Sequence, residues 1–175
     1  MRILEILLSL ATLLFIVRFL LQACRADFYN PISQGIVKAT DPVCKPLRMA
    51  LKPIGTIDLA SILLAWVICV LGQFLLAYLQ FGVLAPVLPV LWNGLIKMLL
   101  VLMQFYTMVI IIVAIASFVV QGAAHPALML LHQLLEPIVG PVRKVLPSLG
   151  PLDLSPLAVL LIIILIEDIL MRSFF

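Results

Sequence analysis

The sequence predicts an all-α membrane protein with four transmembrane helices, arranged as two parallel helical hairpins that each carry a Pro-rich, partly helical loop. Three observations predict this fold, and the first is composition. The 175-residue chain is 65% hydrophobic and 11% charged, with a mean hydropathy of +1.31, whereas soluble domains have about 25% charged residues. The second is that apolar runs of about 20 residues, the length that crosses a bilayer, occur four times. The third is an internal repeat.

The repeat appears when the sequence is shifted by 95 positions, because residues 31–59 then align with residues 126–154 without a gap. Repetition at a fixed period indicates duplicated architecture. Shared hydrophobicity does not explain the identities, because most of them are Pro, Gly, Arg or Asp. The identical pairs are Pro31 and Pro126, Pro42 and Pro137, Pro46 and Pro141, Arg48 and Arg143, Leu51 and Leu146, Gly55 and Gly150, Asp58 and Asp153, and Leu59 and Leu154.

The repeat also sets the predicted organisation of the chain. Residues 1–81 form a first repeat, 82–94 an outer connecting segment and 95–175 a second repeat. Pro86 and Pro89 interrupt an otherwise uncharged stretch, so we expect a turn or a shallow interfacial segment there. We also expect the first apolar run to be a retained helix rather than a cleaved signal sequence. The predicted spans are 3–23, 59–81, 95–120 and 154–171, with loops at 24–58 and 121–153.

The distribution of Lys and Arg predicts the orientation in the membrane. Seven basic residues lie in the two repeat loops and three lie at the opposite ends of the spans. We therefore expect both loops in the cytoplasm and both termini on the periplasmic side of a bacterial inner membrane. The seven are Arg25, Lys38, Lys45, Arg48, Lys52, Arg143 and Lys144, and the three are Arg2, Lys97 and Arg172.

Each repeat loop has the same predicted local structure. An acidic residue precedes a proline, Asp41 in the first copy and Glu136 in the second, and this pair is typical of a helix start. A short helix then leads to a sharp turn at Gly55 or Gly150.

Asp58 and Asp153 stand just before an apolar run and are natural N-caps for the helix that follows. The charged residues of the loops also allow three readings, which the sequence leaves open. Arg48 lies ten residues before Asp58, as Arg143 lies ten before Asp153, so each pair could close its loop as a structural ion pair. The basic residues, Lys144 among them, could instead meet anionic lipid headgroups, or the loops could form a docking face for a protein partner.

A second group of candidates lies inside the predicted spans, where ionisable residues suggest function. Arg18 is close enough to the cytoplasmic end of its span to snorkel to the interface or to pair with Asp27 or Asp58. Glu167 and Asp168 read as an interfacial cluster neutralised by arginine, or as a cation or proton site, and Gln73 matches Asp168 in the repeat.

Other chemistry is not indicated by the sequence. His125 and His132 are seven residues apart, about two helical turns, but no further ligand completes a haem or metal set. No nucleophile or phosphate-loop motif occurs, so we expect no enzyme, no cofactor, no metal and no direct nucleic-acid partner. Three cysteines without a CxxC pair predict free thiols.

The loop motifs resemble those of the YggT family, also called YlmG-like, of bacterial inner-membrane proteins. The segments that carry the resemblance are 27–34 (DFYNPISQ), 46–48 (PLR) and 55–58 (GTID), and in the second copy 136–156, which is the cleaner match. Arg18 and Gln22 also fit the first helix of that family. The first copy departs from the pattern at 52–53 (KP) and 60–61 (AS).

The resemblance implies a small multi-pass protein of unsettled role. Bacterial relatives are linked to osmotic and ion homeostasis and to gene neighbourhoods of cell division, and plastid relatives are linked to the assembly of cytochrome complexes and to nucleoid distribution. Two functional classes follow. The first is a non-enzymatic adaptor or assembly factor that uses the loops as a docking face. The second is a subunit of an ion or osmolyte channel or transport system, with a homo-oligomer and a hydrated path past Arg18, Gln73, Gln104, Glu167 and Asp168.

Overall fold

The computed structural model describes residues 2–119, 125–145 and 153–174, and all regular structure within these ranges is α-helical. This agrees with the predicted all-α class. The six helices are α1 Arg2–Ala23, α2 Pro31–Ala50, α3 Leu59–Phe81, α4 Val87–Val119, α5 Pro126–Val145 and α6 Ser155–Phe174.

Three of the helices are long and apolar enough to cross a membrane: α1, α3 and the part of α4 that ends at Ser117. Helix α6 has 20 residues and an apolar first half, but its second half carries Glu167, Asp168 and Arg172. Because of these three charged residues, α6 does not stand with the three apolar spans.

Helices α2 and α5 are longer than the short loop helices that the sequence predicts. Helix α2 begins at Pro31, with the side chain of Asn30 accepting a hydrogen bond from the Ile32 N–H, so the predicted start at Pro42 is wrong. Pro42 and Pro46 lie inside α2, four residues apart on its exposed face. A proline removes the hydrogen bond to the carbonyl four residues earlier, and on this face the freed carbonyls can meet water or headgroups. Helix α5 carries Pro137 and Pro141 in the same way, so its predicted start at Pro137 is also wrong.

Helix α4 begins at Val87, before the predicted start at residue 95. The prediction failed because Pro89 falls in the first helical turn, where the missing N–H has no intrahelical acceptor in any case. The Pro86 carbonyl accepts the Val90 N–H at 3.3 Å and opens the helix. Most of the predicted connecting segment is therefore helical.

The turn between α2 and α3 is tight and contains the predicted glycine. Gly55 has φ of +60°, a conformation that glycine adopts readily. Ile54 and Ile57 exchange two backbone hydrogen bonds of 3.0 and 2.9 Å around it. Gly150, its counterpart, lies outside the described residues.

Packing follows the order of the repeat. Helix α1 packs on α2, α3 and α4, and the matching helix α4 packs on α5, α6, α1 and α3. Helices α2 and α5 also touch each other. The core lies where these helices meet and contains Phe15, Leu20, Tyr106, Val109, Leu134 and Ile163. This arrangement brings the end of α1 against α2, where the charged residues of the first repeat converge.

Candidate functional site

The first charged cluster is built around Arg18, which is only 2% exposed. Its Nη1 donates to the Val37 carbonyl at 2.9 Å and to Thr40 Oγ1 at 2.5 Å, both on α2. Its Nη2 donates to Asp41 Oδ1 at 2.6 Å. Arg18 therefore does not snorkel to the interface, because α2 covers it and supplies its acceptors. Asp41, which the sequence analysis did not weigh as a partner, takes the place expected for Asp27.

Asp58 is the second centre of this cluster and is fully buried. Arg48 donates to both of its carboxylate oxygens, Nε to Oδ1 at 3.2 Å and Nη2 to Oδ2 at 2.5 Å. Ser61 Oγ donates to Oδ2 at 2.5 Å, and Arg18 Nε lies 3.8 Å from the same oxygen. Asp58 occupies the N-cap position of α3, but its side chain makes no capping hydrogen bond. The predicted capping hydrogen bond is wrong, because the carboxylate oxygens accept hydrogen bonds from Arg48 and Ser61 instead.

The electrostatics of the cluster favour charged carboxylates. Burial raises the pKa of Asp58, but the hydrogen bonds from Arg48 and Ser61 and the nearby charges outweigh it, so its pKa lies below the ordinary value. The hydrogen bonds from Lys45 and Arg18 lower the pKa of Asp41 in the same direction. The pKa of Arg48 is raised, chiefly by its hydrogen bond to Asp58.

The corresponding residues of the second repeat form an open set. Arg143 Nε donates to Asp153 Oδ2 at 2.9 Å, and its Nη1 lies 3.4 Å from Glu136 Oε2. The side chains are 51%, 42% and 64% exposed respectively. Asp153 also accepts the Ser155 N–H at the start of α6. Hydrogen bonds from Ser155 and from Arg143 lower the pKa of Asp153.

One substitution at the centre of the cluster goes with this difference. Val113 stands in α4 where Arg18 stands in α1, so the second repeat has no guanidinium between its first helix and its loop helix. Lys144, the other basic residue of this set, is exposed at the end of α5. The first cluster is thus enclosed, and the second faces outward.

The polar residues of the apolar helices stay apart from both clusters. Gln73 lines a cavity of about 270 Å³ together with Glu5 and Lys97, and its Nε2 has no partner in the described structure. Asp168 pairs with Arg172 at 2.8 Å on an exposed face of α6. Glu167 Oε1 is buried and finds no partner among the described residues. Gln73 lies on α3, which packs on α1, α2 and α4, whereas Glu167 lies on α6, which packs on α4 and α5.

The remaining candidates make local contacts. His125 Nδ1 accepts the Ala127 N–H, and His132 Nδ1 lies 2.7 Å from the Leu128 carbonyl. Within the described ranges no group of three or more His, Cys, Asp or Glu side chains could hold a metal. Cys24, Cys44 and Cys69 are free thiols, as predicted.

The residues that sequence reasoning missed lie on α2. Thr40 and Asp41 are 22 and 23 residues from Arg18, so no helical spacing links them to it. The one available signal was the acidic residue at 41 and at 136 in the repeat alignment, which was assigned to a helix start instead.

The described part of the chain contains six helices, three of them apolar enough to span a bilayer, and two copies of one charged motif. These features define a helical membrane protein built from a repeat. The chain belongs to the CCB3/YggT family, whose model matches residues 1–79 and again 92–174. The two matched segments agree with the predicted pair of repeats.

Several relatives cover most of the chain. It is 40% identical to the uncharacterized protein PA0392 of Pseudomonas aeruginosa over 98% of its own length and 87% of the relative. It is 43% identical to an uncharacterized protein in the proC 3′ region of Vibrio alginolyticus, over 85% of the chain and 80% of the relative. It is 36% identical to the uncharacterized protein YggT of Escherichia coli K12, over 91% and 82%. No solved structure matches the chain.

Proposed function

We propose that this protein is a non-enzymatic membrane adaptor or assembly factor, and that its docking face is the open charged set of the second repeat. The observation that supports this is the contrast between the two copies. In the first copy, Asp58 is fully buried and accepts hydrogen bonds from Arg48 and Ser61. In the second, Arg143 and Asp153 keep the same pairing while about half exposed.

A protein partner fits this surface for an electrostatic reason. Exposed ion pairs contribute about 0–1 kcal/mol to folding, so the stability of this chain alone gives little reason to repeat Arg143, Asp153 and Glu136 in the open copy. Charged groups at an interface give orientation and specificity. Arg143, Lys144 and Glu136 present both signs of charge within two helical turns of α5, which suits a partner surface with complementary pairs.

The test is co-purification after cross-linking in native membranes, followed by mass spectrometry. We expect a stoichiometric second protein with the wild type, lost with Arg143→Ala and retained with Lys38→Ala. Lys38 is an exposed basic residue of the first repeat and gives the same change of charge. Equal recovery of every co-purifying protein with both variants would contradict the adaptor role.

The adaptor role rests on a proposed topology of four spans as two hairpins, with both loops in the cytoplasm and both termini in the periplasm. Its support is the excess of basic residues in the loops. In a cysteine-free background, we expect an impermeant thiol reagent to label Ser173→Cys in intact spheroplasts, and to label Lys38→Cys and Lys144→Cys only after lysis. Labelling of Lys144→Cys in intact spheroplasts would place the second loop outside.

A transport role is the second candidate, and buried polar atoms within the apolar helices favour it. Gln73 Nε2, Thr107 Oγ1 and Glu167 Oε1 have no partner in the described part of the chain, and such groups mark ion or proton pathways in membranes. Flux in liposomes should fall at least tenfold with Glu167→Gln and Asp168→Asn under this role. Unchanged survival under ionic stress with both replacements would exclude these carboxylates from transport.

A further inference from the structure

A second cavity lies at the C-terminal end of α1, between that helix and α2. Its volume is about 320 Å³, within the range of ligand sites. Its polar wall consists of Arg18 and Gln22 from the end of α1, Arg25 from the turn that follows, and Ser33 and Arg48 from α2. Nearly all of these groups are hydrogen-bond donors, which indicates an anionic ligand.

The balance of charge around this cavity is positive. Three guanidinium groups line it, those of Arg18, Arg25 and Arg48, while Asp41 and Asp58 are the carboxylates that pair with Arg18 and Arg48. Arg25 has no ion pair or side-chain hydrogen bond within the described structure. Asp27 follows closely in the chain, but it does not line the cavity, and its Oδ1 accepts the Tyr29 N–H. One positive charge is therefore left over at the wall.

Two buried polar groups at the cavity also lack partners. Ser33 is 2% exposed, and its Oγ has no hydrogen bond within the described ranges. Arg18 Nε also has no hydrogen bond there, since it lies 3.8 Å from the Asp58 Oδ2 oxygen. Buried donors without acceptors are destabilising and uncommon. Both residues line the cavity, so an anion bound there would lie next to them.

The backbone at Arg25 gives an independent indication. Arg25 has φ of +51° and is the one non-glycine residue with a positive φ in the described chain. It closes α1 with the hydrogen bonds of a Schellman motif, from its own N–H to the Gln22 carbonyl and from the Ala26 N–H to the Leu21 carbonyl. Glycine is the usual residue at this position. A strained residue at a binding surface is a sign of function, and here the strain places a guanidinium at the cavity.

We propose that this cavity binds a phosphate group, carried by an anionic lipid headgroup or by a free phosphate. Guanidinium groups bind phosphate oxygens through paired hydrogen bonds. The cavity lies at the C-terminal end of the apolar helix α1, and basic pockets beside membrane helices bind lipid phosphates. Leu21, Phe28 and Val37 add an apolar wall, which suits a ligand attached to acyl chains.

The variant that tests this proposal is Arg25→Gly. Glycine fits φ of +51° better than arginine, so this replacement removes the guanidinium while keeping or improving the fold. Lys38→Ala is the matched control, because it removes one exposed positive charge of α2 outside the cavity wall. Ser33→Ala is a second variant that removes a cavity group without changing the charge.

Binding would be measured on the detergent-solubilised full chain with three probes. Inorganic phosphate is titrated by calorimetry, and phosphatidylglycerol and diacylglycerol, which lacks phosphate, are compared by native mass spectrometry. We expect phosphatidylglycerol or phosphate to bind and diacylglycerol not to bind. We also expect at least a tenfold loss of affinity in Arg25→Gly, a smaller loss in Ser33→Ala and none in Lys38→Ala, with the thermal midpoint of Arg25→Gly at or above the wild-type value.

The result with each probe decides one point. Binding of phosphatidylglycerol alone identifies a membrane lipid as the source of the phosphate, and binding of inorganic phosphate alone identifies a soluble ligand. Wild-type affinity in Arg25→Gly, equal binding of diacylglycerol, or no binding of either phosphate probe would overturn the proposal.

Discussion

Arg48 and Arg143 make the same ion pair in two different environments. Arg48 pairs with a fully buried Asp58, whereas Arg143 pairs with Asp153 at a surface. Removal of one partner of a buried pair leaves an uncompensated charge, which is far more destabilising than the loss of an exposed pair. The same residue type at equivalent repeat positions therefore has different roles.

Replacement of each arginine by methionine should reveal this difference. We expect Arg48→Met to lower the free energy of unfolding by roughly 2–3 kcal/mol, less than the loss of a sole partner, because Arg18 and Ser61 still contact Asp58. Arg143→Met should lower it by under about 1 kcal/mol. Denaturation of the detergent-solubilised variants gives both values, and equal losses would contradict the enclosed character of the first cluster.

The lowered pKa values of Asp41 and Asp58 predict a loss of stability in acid. A carboxyl whose pKa is lowered by folding binds fewer protons in the folded chain than in the unfolded chain. Its contribution to stability is therefore complete above the unfolded pKa of about 3.9 and is lost as the pH falls through the folded pKa. We expect the thermal midpoint to fall steeply below about pH 4. Asp58→Asn should lower the midpoint at pH 7 and flatten the acid limb. An acid limb as steep as that of the wild type would assign the effect to other carboxylates.

The helices differ in how well the sequence predicted them. The spans at 59–81 and 3–23 match α3 and α1 to within a residue, because both are long apolar runs. The first has no charged residue, and the second has only Glu5 and Arg18. Helix α2 was predicted too short, because a proline inside a helix usually ends it. Whether the freed carbonyls meet water depends on the face that the prolines occupy, and this face is set by the packing of α2 on α1 and α3.

Two glycines test how closely the helices pack. A Cβ at Gly94 of α4 would lie 2.5 Å from Val70 Cγ2 and 3.4 Å from the Val70 backbone nitrogen of α3, whereas a Cβ at Gly35 of α2 would meet nothing within 4 Å. Valine has one strongly preferred rotamer in a helix, so it cannot move aside.

We therefore expect opposite effects from the two alanine replacements. Gly94→Ala should destabilise the protein by about 1–3 kcal/mol through overpacking, and Gly35→Ala should stabilise it by about 0.5–1 kcal/mol through helix propensity. Thermal unfolding of the two variants under one condition measures both signs. A neutral Gly94→Ala would mean that α3 and α4 can separate without loss.

At the scale of the molecule, the sequence predicted the all-α class, the repeat and the family, because apolar content and a fixed period can be recognised without any knowledge of packing. It did not predict that one copy of the charged motif is enclosed and the other open. That outcome depends on Arg18 facing α2 while Val113 takes its place in α4, and on acceptors at 37, 40 and 41 that only the packing of α1 on α2 brings to it.

The two repeats meet where α2 and α5 begin. Asn30 Nδ2 donates to the Pro126 carbonyl at 2.7 Å while its Oδ1 caps α2, and the Asp27 N–H donates to Gln133 Oε1 at 2.8 Å. Pro126 is the repeat counterpart of Pro31, the first residue of α2. One side chain thus starts one loop helix and holds the start of the other.

Asn30→Asp separates these two tasks, because a carboxylate keeps the cap acceptor and loses the donor to Pro126. We expect Asn30→Asp to destabilise the protein by roughly 1–2 kcal/mol, since the Pro126 carbonyl loses its donor and faces a buried carboxylate instead. Asn30→Ala should cost about 1 kcal/mol more, because the cap is lost as well. Gln133→Ala tests the neighbouring bond, which is more exposed, and should cost less than either. If Asn30→Asp unfolds at the wild-type midpoint, contact between the loop helices does not hold the repeats together, and the packing of α4 on α1 and α3 must do so.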